Sequence, residues 1–525
     1  MKKKITISVI VAVLVLTLVM FAFAACNKKG NGADDKTLII GTTTAIKSLN
    51  RLDASSGGNA GYNYDVLSGT VSQLAPVSKT TEGTFEPLLT EYSEQDGGKT
   101  WSFTVRDGFK WHDGVAVTAD DLVFTFTDFF DYPEGENCIV ENIAKTDDKT
   151  AEITLKSANP RFLNNMTAVR IMPKHLIEGK TVETLSDADS VVGCGPFKFE
   201  KFDRNSGTLT FVKFADYPFA DQVYFDKVIF KIYGTTDVMH LALKTGEIDM
   251  EYNYSKGLDA AAEKDFSDEK GLTLDSYADE AYPMNLFFNN EKITDPNVRK
   301  AIALAIDYAQ VRKLFGTSFA TPSYEGFASP STIGYTETAE RTRNIDEAKR
   351  LLTEAGYSAS NKFRFELLVR SDGNYGEVAK ILKTQIEETG LVTLDIKSQE
   401  AQTFNATLKE HSHQTCLLKL TAFGVGNQGG LGSMYFVATG NVPAGNITAP
   451  DFLQIISDLN GAATSEQYMQ AAKAFQNYCV ENTPAISLYN DSMVQVYSSS
   501  LMGFRKDGSF GLLNVLGWQT LKRVK

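Results

Sequence analysis

The sequence predicts a mixed α/β protein of at least two lobes, and three observations carry that prediction. The chain has 525 residues, more than one hydrophobic core usually supports. The segments "FRFELLVR", "YGEVAKILKTQIEETG" and "LVTLDIKS" follow one another as strand, helix and strand, a βαβ-type unit. At Met284 the pattern changes, and capped amphipathic helices begin to alternate with short apolar strands.

Taken in order, the chain opens on a basic start, Lys2 to Lys4, followed by an apolar run from Ile5 to Ala25. A charged n-region, an apolar h-region and a small-residue end make a secretory leader, excluded from the fold. A single transmembrane anchor would need a run of similar length. Phe23-Ala24-Ala25-Cys26 decides between them, because it resembles the bacterial lipobox: cleavage before Cys26, whose thiolate is the nucleophile that lipid transfer needs. Residues 1–25 are thus expected to be a lipoprotein signal peptide, and 26–36 a lipidated tether rich in Asn, Lys, Gly and acids. That places the mature chain on the outer face of the cytoplasmic membrane.

In the body, Leu38–Thr43 reads as a short buried strand, and Ser55–Asp65 is a turn rich in Gly and Asn that brings backbone amides close to a neighbour. Thr100–Arg106 alternates with the strand period and meets Asp107-Gly108, a hairpin-type turn. Asp113-Gly114 is a second turn, and Thr118-Ala-Asp-Asp121 resembles a capping box at the start of an amphipathic helix. "KTAEITLK" is a strand, and "VVGCGPFKFEKFDRNSGTLTFVKF" a Gly-Pro turn followed by a hairpin. "VMHLALKTGEIDM" is a helix stopped by Gly before another strand. Beyond Met284, "MNLFFNN" is a strand and "DPNVRKAIALAIDYAQVRKLF" one capped helix with an apolar stripe at Val298, Ile302, Ala305 and Ile306. "NIDEAKRLLTEAGY" is a helix ended by Gly, and a helix near Glu466–Glu481 leads into the strand "AISLYN".

Composition excludes some classes of function. The net charge is −13, and −16 once the three leader lysines are gone, which argues against nucleic acid as a partner. Cys138, Cys194, Cys416 and Cys479 are widely spaced with no CxxC, so zinc and thioredoxin-like readings fall away, and free buried thiols are expected. "GVGNQG" (424–429) fits G-x-G-x-x-G but is followed by Gly and Pro with no helical stripe, which makes it a flexible or ligand-facing loop. His411 and His413 share one face of an extended segment without a third ligand nearby, and read as surface histidines. Trp111-His112-Asp113 has no nucleophile elbow to serve and reads as turn structure. Asp120-Asp121 is explained by a helix N-terminus and Asp147-Asp148 by a solvated turn. The reading yields no catalytic residue, metal site or cofactor.

Several stretches in order resemble one family along the whole mature chain. "GGKTWSFTVRDGFKWHDGVAVTADDLVFTF" is the most specific, supported by "GCGPFKFEKFD", "ALKTGEIDM", "DPNVRKAIALAID", "EAKRLLTEAGY", "HQT" and "ENTPAISLYN". They are similar to the extracellular solute-binding lipoproteins of peptide/nickel-type ABC importers. The resemblance implies a periplasmic-binding-protein-like fold of the large class, with hinged α/β lobes of mixed sheets closing over a ligand. Lobe I would comprise 37–283, lobe II 284–487, and 488–525 would return to lobe I. The implied partners are a solute, peptide or peptide-like, and an ABC permease and ATPase complex; a monomer is expected. Alternatives are a non-peptide solute such as an oligosaccharide or metal chelate, or a sensor lipoprotein of the same fold.

The resemblance also marks a departure. Peptide binders continue after "HQT" into Gly-Trp and an Asp that pairs with the peptide amine. Here the run is "CLLKLTAFGVGNQ": Lys419-Leu420 replace Gly-Trp, and Phe423 stands about where the acid would be. A phenyl ring cannot form that charge pair. The expected ligand site is therefore Ser56, Gly57 and Gly58 facing Phe423, Gly424 and Gly426, with Arg370 at the rim to meet a carboxylate. Cys194, where the family has Thr or Ser, reads as a structural replacement.

Overall fold

The computed structural model describes residues 36–524 apart from 54–61, 80–83, 136–137, 160–161, 254–256, 331, 421–427, 463 and 507–511. The leader, the tether up to residue 35 with Cys26, and the ligand-site positions Ser56, Gly57, Gly58, Phe423, Gly424 and Gly426 lie outside the described residues. Four of the cysteines are described, and all are buried free thiols.

Ten strands make the main sheet: β1 (Thr37–Thr42), β2 (Phe197–Asp203), β3 (Thr208–Lys213), β4 (Lys227–Ile232), β5 (Met250–Glu251), β6 (Leu272–Phe288), β7 (Phe363–Arg370), β8 (Val392–Gln399), β9 (Thr415–Leu420) and β10 (Ala485–Ser498). Their order is β8-β7-β9-β6-β10-β5-β1-β4-β3-β2. Pairing is parallel between β7 and both β8 and β9, and between β1 and both β4 and β5. The central pair, β6 and β10, is antiparallel and long. The sheet is mixed, as the sequence predicts. A separate four-stranded antiparallel sheet holds 90–95, 100–105, 150–155 and 140–145 in that order. Thr100–Val105 therefore has its hairpin partner upstream, in Thr90–Gln95, while Asp107-Gly108 only ends the strand, with Gly108 at φ +84°.

Alternation along the strands sorts side chains to opposite faces. Leu286, Phe288, Leu367, Leu417 and Leu488 enter one core with the helices Pro296–Ala305 and Tyr375–Glu387, whereas Phe287, Leu368, Cys416 and Leu418 enter a second with Phe436, Phe452 and Phe475. A third and larger core gathers residues from Leu38 to Tyr252 together with Met493, Tyr497, Leu516 and Trp518. A small fourth core, holding Met239, Leu243 and Phe266, backs Val494 and Val496. β6 and β10 run between these cores. Their register shifts three times between Tyr277 and Asn285, and such bulges bend and twist a strand pair.

The capping box at Thr118 and Asp121 is present and opens the helix Ala119–Phe129. Two other expectations need correcting. The strand read from Met284 starts at Leu272, because Leu272–Tyr277 also pairs with β10. The helix expected from Asp295 to Phe315 is two, Pro296–Ala305 and Tyr308–Phe315. Ile306 turns extended, and the Asp307 carboxylate accepts the Gln310 N–H at 2.9 Å, capping the second helix.

Gly193 and Gly195 pack against the chain at Ser72: a Cβ on Gly193 would lie 2.1 Å from the Ser72 carbonyl oxygen. Backbone cannot rotate away as a side chain can, so Gly193→Ala is expected to cost about 3 kcal/mol. Urea unfolding at neutral pH measures it, and an unchanged midpoint would disprove the close approach.

Candidate ligand-binding cleft

In an open α/β sheet, ligands bind outside the carboxyl ends of the parallel strands. Two sets of such ends exist here, one of β1, β4 and β5 and one of β7, β8 and β9, and the second carries the sequence-predicted Arg370. Arg370 closes β7 opposite Gln399 of β8, and β7 pairs with β9 as far as Leu368↔Cys416. Leu420, which ends β9, pairs with Tyr282 of β6, while the neighbouring Ala281 pairs with Asp491 of β10. The edge thus lies at the level where β6 and β10 lose register between the cores.

Three side chains meet on this edge. Tyr375, buried, opens the helix after β7. The Arg370 guanidinium lies 5.9 Å from its ring centroid and the Lys419 ammonium 5.3 Å, both within cation–π range. Arg370 also grips Asp372 in a fork, Nε to Oδ1 at 2.8 Å and Nη2 to Oδ2 at 2.5 Å, and that bond raises its pKa. Burial raises the Tyr375 phenol, and Arg370 partly offsets it. Two cations and one carboxylate on a fixed aromatic platform can exchange an internal ion pair for a ligand's charge. Arg370, expected at the rim from its place after "FELLV", ends β7 on this edge. Tyr375 carries no sequence expectation and Lys419 only that of a replacement for Gly, although aromatic and basic residues at strand and helix ends are the available signal.

Across the strand crossing, the chain at Thr317-Ser318 is held by two carboxylates. Asp491 accepts the Thr317 N–H at 2.9 Å and its hydroxyl at 2.5 Å, and Glu263 accepts the Ser318 N–H at 2.8 Å and its hydroxyl. Burial raises the Asp491 pKa, and Glu263 adds to the rise. Glu263 belongs to the helix Ala260–Ser267, whose Phe266 lies in the small core backing β10, so the two acids tie that core to the segment following Tyr308–Phe315.

The histidines and the Gly motif have structural roles. His413 is buried, not on the surface: its Nε2 meets the Ala444 carbonyl at 2.9 Å, and burial lowers its pKa. In "GVGNQG" the described residues begin a short helix, Gln428–Leu431, leading into a wide helical turn at Gly432–Phe436. The reading as a loop fails there, because Gly429 and Gly432 let the chain pack on the helix Pro450–Gly461. A Cβ on Gly432 would stand 2.1 Å from Ile456 Cδ1, and one on Gly429 2.4 Å from Asn460 Oδ1. His112 joins its own turn to Gly193 and Gly195, as a structural residue should. Among the described residues no group of three or more His, Cys, Asp or Glu is placed to hold a metal ion, and no helix is long and apolar enough to cross a membrane.

The family model for bacterial extracellular solute-binding proteins, family 5 (Middle), matches residues 84–441. The chain belongs to that family. This family-5 protein is 25% identical over 403 residues to the oligopeptide-binding protein AppA of Bacillus subtilis (strain 168), covering 71% of this chain and 70% of the relative. Its fold matches the ABC transporter substrate-binding protein CtaP of Listeria monocytogenes with a TM-score of 0.79 at 21% identity, covering 93% and 99% of the two chains. It also matches the Helicobacter pylori DppA in complex with the peptide STSA, with a TM-score of 0.71 at 20% identity over 93% and 98%. The two-lobed fold and the family make this chain a solute-binding component of an ABC importer.

Proposed function

We propose that this family-5 protein captures a peptide or peptide-like solute between its lobes and passes it to the membrane permease and its ATPase, as a monomer tethered by a lipid on Cys26. Lobe I comprises 37–283 with 488–525 returning to it, and lobe II comprises 284–487. The separation of the hydrophobic cores along β6 and β10 supports such a division, although Leu488 and Tyr489 still pack in the lobe II core and β10 enters the lobe I core only from Met493. A ligand touching both lobes draws an open–closed equilibrium toward closure by its differential affinity.

The observation that carries the peptide reading is the grouping of Arg370, Tyr375 and Lys419 at the carboxyl edge. On ligand entry a peptide carboxylate takes over the Arg370 fork from Asp372, while Ser56, Gly57 and Gly58 on one side and Phe423, Gly424 and Gly426 on the other supply backbone amides and apolar contact. Phe423 in place of an acid disfavours a free amine. The preferred solute is therefore a peptide whose amino end is blocked, cyclised or neutral. Mass spectrometry of the ligand that co-purifies under gentle conditions identifies it, and a non-peptide solute would overturn this reading.

Calorimetry with a mixed dipeptide library tests the departure at Phe423. The wild type should bind poorly and Phe423→Asp about tenfold or more better, the scale of one charge-assisted contact. Tight binding by the wild type would instead assign the amine to another acid, with Asp372 the nearest to hand. Labelled palmitate should enter the wild type and not Cys26→Ala; equal labelling of the two would remove the anchor.

A further inference from the structure

Arg341 is a buried cation that peptide capture leaves unexplained. It is only 7% exposed, and among the described residues it makes no ion pair. Its Nη2 donates to the carbonyls of Glu325 at 3.0 Å and Ala485 at 3.5 Å, and its charge also acts on the buried Tyr308 phenol. The Nε–H has no partner. A buried guanidinium without a carboxylate is costly, and a buried donor left unmade more so.

The side chain lines a cavity of ≈ 150 Å³ together with Tyr308, Arg312, Ser323, Arg343 and Tyr489. Ser323 is 1% exposed, and its hydroxyl has no partner either. Arg312 also forms no ion pair among the described residues, while Arg343 is fixed beside the cavity by Glu388. Two acids line the same space: Asp307, which caps Tyr308–Phe315 by accepting the Gln310 N–H at 2.9 Å, and Glu340, which is exposed. Neither is among the ion-pair partners of Arg312 or Arg341 in the described residues. The cavity shares no lining residue with the edge around Arg370. It abuts Leu488 and Tyr489 of β10 instead.

From this geometry we propose that the cavity is a second ligand site, for a small oxyanion: the carboxylate of a small acid, or inorganic phosphate. Both present the paired acceptor oxygens that a guanidinium fork and a hydroxyl satisfy together. Nothing covalent follows binding. The anion neutralises Arg341, accepts from its Nε–H and from Ser323 Oγ–H, and braces the segment 321–323 against β10. Thr321 already bridges to Asn490 there.

The test uses the intact protein labelled with ¹⁵N-arginine, stripped of bound solute and refolded in chloride buffer. The Arg341 Nε–H resonance, assigned by its loss in Arg341→Lys, should shift saturably on titration with inorganic phosphate or with acetate at matched ionic strength. Saturation by phosphate alone assigns the site to a tetrahedral anion, by acetate alone to a carboxylate, and by both to the shared chemistry. Should Arg341→Lys not fold, Ser323→Ala and Arg312→Gln provide the control, each raising the half-saturating concentration about tenfold. A resonance that stays fixed, or drifts without saturating in both titrations, overturns the proposal and leaves the cavity to water. So does saturation that both variants leave unchanged.

Discussion

Trp518→Ala should lower stability by about 3–5 kcal/mol, the usual cost of deleting a fully buried large aromatic. The indole is 1% exposed in the large core built from the first half of the chain. Its ring meets Phe197 edge-on at 4.9 Å, and its Nε1–H donates to the Thr70 carbonyl at 2.6 Å. Truncation to alanine removes both and leaves a cavity in that core beside Phe197 of β2. The same residues explain why removing the last fifteen should be worse than the single substitution. Arg523 would no longer donate to Asp249 at 2.8 Å or to the Thr37 carbonyl at 3.1 Å, contacts that tie the terminus to the start of β1. Differential scanning calorimetry should show Trp518→Ala melting about 5–10 °C below the wild type. A melting point that does not move would mean the terminus is an appendage and not part of the core.

What the sequence shows plainly is local. "FRFELLVR" and "LVTLDIKS" are strands because β-branched and apolar residues repeat at the period that buries one face, and their boundaries match the structure within one residue. Thr118 and Asp121 predict a helix start because a hydroxyl and a carboxylate three residues apart satisfy two orphan N–H groups. What escaped is what depends on distant chain. The strand expected after the Gly stop of "VMHLALKTGEIDM" is present as β5, but only two residues long, and its place between β1 and β10 could not be read locally. His413 is buried because Ala444 and the amide of Asn289, far away in sequence, come to its carbonyl and ring. Gly429, the last glycine of the nucleotide-like fingerprint, is there because close packing on a helix requires the same missing side chain that a phosphate loop does. At the site, Arg370 could be chosen because a basic residue ending a strand is a local signal. The platform under it could not, because Tyr375 and Lys419 come together only through the parallel pairing of β7 with β9.

Acidification should weaken the protein through His112, and the direction follows from its bonds. Nδ1 accepts the Gly193 N–H at 3.2 Å, so the ring proton sits on Nε2, which donates to the Gly195 carbonyl at 3.1 Å. Phe214 covers the ring edge-on at 4.9 Å. A second proton would land on Nδ1, facing the Gly193 N–H donor, in a site already short of water. Burial is the main cause that lowers this pKa to about 4, with Lys198 adding to the shift and the Gly195 carbonyl and Asp113 opposing it. The unfolded chain, with an ordinary imidazole near 6.5, therefore binds the proton first, and stability falls as pH drops from about 6.5 toward 4. Allowing for the residue's partial exposure, the loss between pH 7 and 4.5 is about 2 kcal/mol. Asp491 works in the opposite sense, since an acid whose pKa is raised by burial becomes less costly as it protonates, so the total pH dependence is a sum and only a difference isolates His112. His112→Gln keeps a side-chain amide that can donate to Gly195 and accept from Gly193 without titrating. Urea midpoints at pH 7 and 4.5 should converge for this variant by about the 2 kcal/mol that the wild type loses. Equal pH dependence in the two proteins would show that the ring titrates as freely folded as unfolded, and that the turn at Trp111–Gly114 does not rest on a neutral histidine.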